Sequence, residues 1–327
     1  MLALLAVINQ TALGADDWNA ALPLDRASLA RMLQEAGPTA AALQTDHFVI
    51  VYSTSDAKAH DFARRLERVF QAHAGFVREL NLPARLPSQK LEVRLFRSYD
   101  EYRTHLATLN AQTGEVLGCF EPRANRCVFF DLDNYLPITE LQAQLQQVEP
   151  ARREKLAGRL ERRRELLQQS IVQHEAAHQI EVNIGLIPAL DRIPTWLTEG
   201  LATLFEAVEP GTENLPASNA FRLFEFKKRY ATAGALGDVR HFLADDAAWC
   251  GADCYPLAWA ITRFLQAEYP AQFARLLRTT ARCAWPSTPA ERVALLEQHF
   301  GPLNEAWISR LYAATMNLPL HDSSFAE

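Results

Sequence analysis

The chain has no excess of positive charge. Its 327 residues carry 33 Lys and Arg against 39 Asp and Glu, a formal net charge of −6, which excludes nucleic-acid binding through a global basic field. There is no Gly-rich phosphate loop, no Ser-His-Asp context and no nucleic-acid module. No apolar run reaches the roughly 20 residues a membrane-spanning helix needs, so no transmembrane segment is expected. Cysteine is scarce: five residues, none at C-x-x-C spacing, which excludes a disulfide-dominated miniprotein and a redox or zinc-knuckle motif. Internal repeats and long low-complexity tracts are also missing. Hydrophobic residues make up 49% and charged residues 22%, ordinary values for a globular chain with a core of its own. The length suits about two domains, or one with an insertion.

The first 13 residues, MLALLAVINQTAL, contain Leu2, Leu4, Leu5, Val7 and Ile8 and are followed by the small residues Gly14 and Ala15. This is the pattern of a signal-peptide core with cleavage after Gly14 or Ala15, although the usual basic start is missing. The alternative is an apolar helix start packed on the body. Four cysteines form two close pairs. Cys119 and Cys127 bracket the turn residues Pro122 and Asn125, as in a hairpin whose strands could be bridged; Cys250 and Cys254 stand at C-x-x-x-C spacing. Two local disulfides with a free Cys283 would suit export to an oxidising compartment.

The pattern along the chain predicts an α+β protein. Residues 1–15 read as the leader, 16–138 as an α+β part and 139–327 as a mainly helical part. One or two helices are expected between Asp17 and about Gln44. Runs at 47–52 (HFVIVY) and 91–96 (LEVRLF) read as strands. Phe62, Leu66, Val69, Phe70 and Val77 fall at helical spacing. Ser98 reads as the cap of a short helix over 99–109. With the 119–130 hairpin this gives a sheet of about four strands. From Pro150 the sequence ARREKLAGRLERRRELLQQ reads as a solvated helix face with local ion pairs, or else as a basic binding surface.

One stretch carries chemistry. His174-Glu175-Ala176-Ala177-His178 lies within a helical pattern. Positions i and i+4 differ by about 40° around a helix, so both imidazoles share a face. They can reach one Zn²⁺ at about 2.0–2.1 Å each. Glu175 lies about 100° around, able to reach a coordinated water without being a ligand. Glu199, in TWLTEGLATLFE, follows 21 residues after His178. That separation lets a second helix turn back and supply a third ligand, with the fourth position left to water. Gly200 and Ala202 are small enough to let that helix approach the first. Glu206 reads either as a carboxylate bonded to a ligand imidazole or as a surface group. Tyr255 precedes Pro256 at a helix start; by the resemblance described next it is a candidate oxyanion stabiliser, otherwise a packing residue, with Tyr230 as the reserve. His47, His105 and His241 have no partner at ligand spacing, and Trp196 and Trp259 read as core.

HEAAH followed by TWLTEGLATLFE resembles the gluzincin branch of zincin metallopeptidases. More narrowly, it is similar to the DUF1570 family of peptidase-MA-like proteins, whose later Tyr-x-x-x-Trp-Ala segment corresponds to Tyr255, Trp259 and Ala260. The resemblance spans roughly 171–205 and 255–265; the charged segment 150–169 lies outside it. It implies a zincin-like fold, Zn²⁺ held by His174, His178 and Glu199, Glu175 as general base for a metal-activated water, and a peptide or protein substrate. The alternatives are a zinc hydrolase of a non-peptide amide, and a non-catalytic binding or scaffold protein on the same fold.

Overall fold

The computed structural model describes residues 17–109, 116–209, 211–212, 215–216 and 218–320. The expected leader, 1–15, lies outside the described residues. After a short 3-10 turn, the elements are α1 (Arg26–Ala36), β1 (Ala41–Gln44), β2 (Phe48–Tyr52), α2 (Asp56–Glu79), β3 (Leu91–Phe96), α3 (Tyr99–Thr108), β4 (Gly118–Glu121) and β5 (Arg126–Phe130). Helices then follow one another: α4 (Leu136–Leu145), α5 (Pro150–Asn183), α6 (Thr195–Phe205), α7 (Ala220–Arg229), α8 (Val239–Ala244), α9 (Tyr255–Glu268), α10 (Pro270–Arg282), α11 (Pro289–Phe300) and α12 (Glu305–Met316). The protein is α+β, with a mixed sheet near the N-terminus and a mostly helical C-terminal part. No helix of the described residues is long and apolar enough to cross a membrane.

The strands run in the order β1-β2-β3-β5-β4. The central three, β2, β3 and β5, are parallel, and β1 and β4 are antiparallel edges. Strands covered on both faces read as near-continuous apolar runs: every residue of β2 is buried. Phe48, Ile50, Val93, Leu95, Cys127 and Phe129 face the main core with α2 and α5. Val49 and Val51 meet Met32 of α1, while Val128 and Phe130 meet Tyr102 and Leu106 of α3 on the opposite face.

The sheet has five strands rather than about four, because Ala41–Gln44 is a strand and not part of a helix. AALQ has little strand preference of its own, and its pairing with β2 decides the outcome. Ser98 caps α3 by accepting from the Glu101 N–H, as expected. The expected Cys119–Cys127 bridge does not form. Cys119 pairs with Val128, and Cys127 with Phe120. Side chains alternate across a strand, so the two thiols sit on opposite faces of the hairpin, and both are free. Cys250 and Cys254 are disulfide-bonded, and Cys283 is free and exposed.

Helix α5 positions the site. It packs against α2, β4, β5 and α6. The approach to β4 is close: a Cβ on Gly118 would stand 2.6 Å from Ile171 Cγ2. Gly200 does not serve the approach of α6 to α5, as the sequence suggested, but that of α6 to α9. A Cβ there would lie 2.1 Å from Thr262 Oγ1 and 2.9 Å from the Ala258 carbonyl oxygen.

Candidate metal centre

The second half of α5 brings His174 and His178 to one buried face. Gln173 anchors the turn: its side chain donates to the Val208 carbonyl at 3.0 Å and accepts from the Val208 N–H at 3.1 Å. This ties the chain leaving α6 to α5. The start of α6 is fixed by Asp246, which accepts from the Thr195 N–H at 2.8 Å. Trp196, buried as expected, donates to the Leu243 carbonyl at 3.1 Å. Glu199 then projects between the two imidazoles.

The three groups converge. His174 Nε2 lies 3.1 Å from His178 Nε2 and 3.0 Å from Glu199 Oε2, and His178 Nε2 lies 3.4 Å from the same oxygen. A tetrahedral ion with bonds of about 2.0–2.1 Å would place its ligand atoms about 3.3 Å apart. The observed spacings fit that edge length. His174, His178 and Glu199 therefore form a group that could hold a metal ion. Burial works to raise the Glu199 carboxyl, but the adjoining imidazoles outweigh it and hold the group far below the ordinary carboxylate range.

Behind His174 stands a second layer. Glu206 Oε1 accepts from His174 Nδ1 at 2.9 Å and from Arg222 Nη2 at 2.7 Å. Its Oε2 accepts from Arg222 Nε and Asn219 Nδ2, both at 2.8 Å. A buried carboxylate with a two-pronged guanidinium stays ionised. Burial would raise the Glu206 carboxyl; the Arg222 charge overcomes this and, with the His174 bond, holds it well below its usual range. Burial works to lower the His174 imidazole, but the Glu199 and Glu206 carboxylates outweigh it and hold the ring well above its ordinary value; with Nδ1 given to Glu206, it is Nε2 that faces the group.

Glu175 faces the sheet edge, where its Oε2 accepts from the Phe120 N–H of β4 at 2.8 Å. Its enclosure raises the carboxyl above its ordinary value; the two imidazoles oppose this and the Glu199 charge adds to it. Tyr255, the first residue of α9, comes to the site. Its ring meets His174 edge-on at 5.5 Å, and the Arg222 guanidinium lies 4.9 Å over its face. Tyr230 caps α7 and packs on Phe226 at 4.9 Å, and its described contacts are not with the imidazoles. His47 bonds to Glu67 and His105 to Glu121, each at 2.6 Å, and His241 is exposed. None of the three joins the group.

Arg222 and Asn219 escaped the sequence reading. They lie 16 and 13 residues beyond Glu206, where no periodicity links them to α6. Asn219 left one local trace: its side chain caps α7 by accepting from the Arg222 N–H at 3.2 Å, a role for which Asn is favoured.

Fold and site together define an α+β protein with a His₂Glu group able to hold a metal ion. Residues 168–285 match the sequence model of a family described as "Protein of unknown function (DUF1570)". The match takes in the whole group, Glu175, Glu206, Arg222 and Tyr255, and leaves out the sheet. No curated protein matches the chain.

Proposed function

We propose that the protein is a zinc-dependent metallopeptidase of gluzincin type. The observation that carries the reading is the triangle of two imidazole nitrogens and one carboxylate oxygen at 3.0–3.4 Å, with Glu175 beside it. Two nitrogens, one oxygen and an open fourth position are the donor set of a catalytic zinc site. Zinc held there would supply Lewis acidity, polarising a carbonyl and bringing the pKa of a coordinated water toward neutrality.

The chain's own residues supply the rest. Glu175, one position along α5 from His174, is placed to take a proton from water on one carboxylate oxygen and return it to a leaving amine. Its raised affinity for protons suits both roles. Tyr255 is a neutral phenol beside His174, because burial and then the Glu199 and Glu175 charges push its ionisation far up. It can therefore donate its O–H to a developing oxyanion. Glu206 and Arg222 hold His174 in place.

We take a peptide rather than a small amide as substrate from the resemblance of HEAAH and TWLTEGLATLFE to the gluzincins; β4, the terminal strand of the sheet, is largely buried against α5 and gives its Phe120 N–H to Glu175. The Cys250–Cys254 disulfide supports an exported protein, in keeping with the leader-like start. Replacing Glu175 by Gln tests the reading: zinc should stay bound while peptide hydrolysis falls by about 10²–10⁴-fold. Full activity in that variant overturns it.

A further inference from the structure

The two imidazoles of the group are not supported alike. The Nδ1 of His174 has Glu206. The Nδ1 of His178 is buried and has no hydrogen-bond partner. Imidazoles that bind a metal almost always give their second N–H to a carboxylate, a carbonyl or a water.

One turn beyond His178, the same face of α5 carries a carboxylate without an evident task. His174, His178 and Glu181 stand at i, i+4 and i+7, at about 0°, 40° and −20° around the helix. Helical side chains lean toward the N-terminus, so Glu181 leans back over the turn that holds His178. It is fully buried, and neither of its oxygens has a hydrogen-bond partner. His73 of α2, also fully buried, brings its Nε2 to 3.8 Å from Glu181 Oε1. The His73 Nδ1 lies 2.8 Å from the Val69 carbonyl oxygen, to which it donates. In the neutral ring the Nε2 is then an acceptor. The ring is clamped by stacking on Phe205 at 3.5 Å, at the end of the helix that carries Glu199. Burial lowers His73 to about 3, so its ring is neutral near pH 7, and burial likewise pushes the Glu181 carboxyl well above its ordinary value.

Four buried polar atoms from three side chains thus stand without hydrogen-bond partners, His178 Nδ1 and the two Glu181 oxygens on α5 and His73 Nε2 facing Glu181 from α2. A polar site offering two to four partners is what a buried water requires. We infer that Glu181, backed by His73, holds a buried water that accepts the Nδ1–H of His178. The pair then positions the second imidazole as Glu206 positions the first. This rests on the reading of His178 as a metal ligand, and it adds two positioning residues from outside the motif, one of them outside the DUF1570 match.

The test compares Glu181→Met, which keeps the volume and removes the acceptor, with Glu181→Gln, which keeps a hydrogen-bonding group, and with His73→Phe, which keeps the ring stack. Two readouts are taken on the full chain. In metal-free, ¹⁵N-histidine-labelled protein, the His178 Nδ1–H should be protected from exchange in the wild type and in Glu181→Gln. It should be lost in Glu181→Met and exchange faster in His73→Phe. Zn²⁺ affinity, by competition with a chelator, should fall about 10–100-fold in Glu181→Met and stay near wild type in Glu181→Gln. A purely structural pair would not give this split, since an apolar replacement of similar volume leaves a core sound. A protected Nδ1–H and wild-type zinc affinity in Glu181→Met overturn the inference. If the wild type takes no zinc, the metal reading fails by itself, and the exchange of the Nδ1–H still decides the bridge. Should Glu181→Met not fold, His73→Phe carries both readouts.

Discussion

Helix α5 is two regions in one element. From Arg152 to Leu167 no residue is buried, and the charges meet one another or solvent. Arg164 pairs with Glu161 and Asp133, Arg65 reaches Glu165, and Arg153 donates to the Val148 carbonyl at 2.9 Å. From Gln168 to Glu181 the same helix passes between α2, the sheet edge and α6, and most of its polar side chains are buried. Among the buried ones only Gln173, His174 and Gln179 are fully bonded; Gln168, His178 and Glu181 are not. In the first half charge is cheap because water screens it. In the second half each polar atom needs a designated partner, and that demand turns a helix into a site. Substitutions should therefore be severe in one half and mild in the other.

The largest effect is expected at His178. Replacement by Ala removes one of the three proposed ligands, and elemental mass spectrometry should show zinc falling from about one per chain to near none. Next comes Glu206. Its replacement by Ala leaves Arg222 buried without its main partner, a loss of about 3–5 kcal/mol, together with a 10–100-fold loss of zinc affinity. Thermal unfolding and chelator competition measure the two. The paired change Glu206→Leu with Arg222→Met should recover stability and leave affinity low, since apolar replacement of a buried ion pair is often neutral or better. Recovery of both would show that Glu206 only fills space.

The same carboxylate sets an acid limit. Its folded-state value is depressed from 4.5 to about 2, so its contribution is full above about pH 4.5 and is lost as pH falls toward 2. The stability gap between wild type and Glu206→Gln should close over that window in a series of denaturant titrations. A gap that widens there has the wrong sign for this account. A smaller effect is expected at Gly200. Its Cβ position is occupied by Thr262 and the Ala258 carbonyl, so Gly200→Ala should cost about 1–3 kcal/mol as α6 and α9 are forced apart.

What could be read from the sequence follows the same division. The face shared by His174 and His178, the place of Glu199 one helix later and the strands at 47–52 and 91–96 are local or periodic, and helical and strand geometry alone announces them. The nearness of Tyr255 to His174 was legible only through the Tyr-x-x-x-Trp-Ala resemblance. The partners of buried charge were not legible. Arg222 meets Glu206 from the next helix, and His73 meets Glu181 across more than a hundred residues; no spacing rule spans either gap. The cysteine pair failed for a register reason: two residues bracketing a turn can face opposite sides, and only the pairing of Cys119 with Val128 decides it. Gly200 was recognised as small, but which helix it admits depends on where α9 lies.

The mild half gives the smallest prediction and the sharpest control. Arg152 and Arg162 are exposed on α5. Changing either to Gln keeps a good helix former and removes one charge, so unfolding free energy should stay within about 0.5 kcal/mol. Zinc affinity should not change, because these residues lie three turns or more from His174 along α5, roughly 18 Å at 1.5 Å per residue and beyond the screening length of about 8 Å at physiological salt. If the pair of substitutions instead weakened peptide hydrolysis while zinc content and stability held, the exposed half would be a substrate-facing surface. The division of α5 would then be between two kinds of function rather than between site and support.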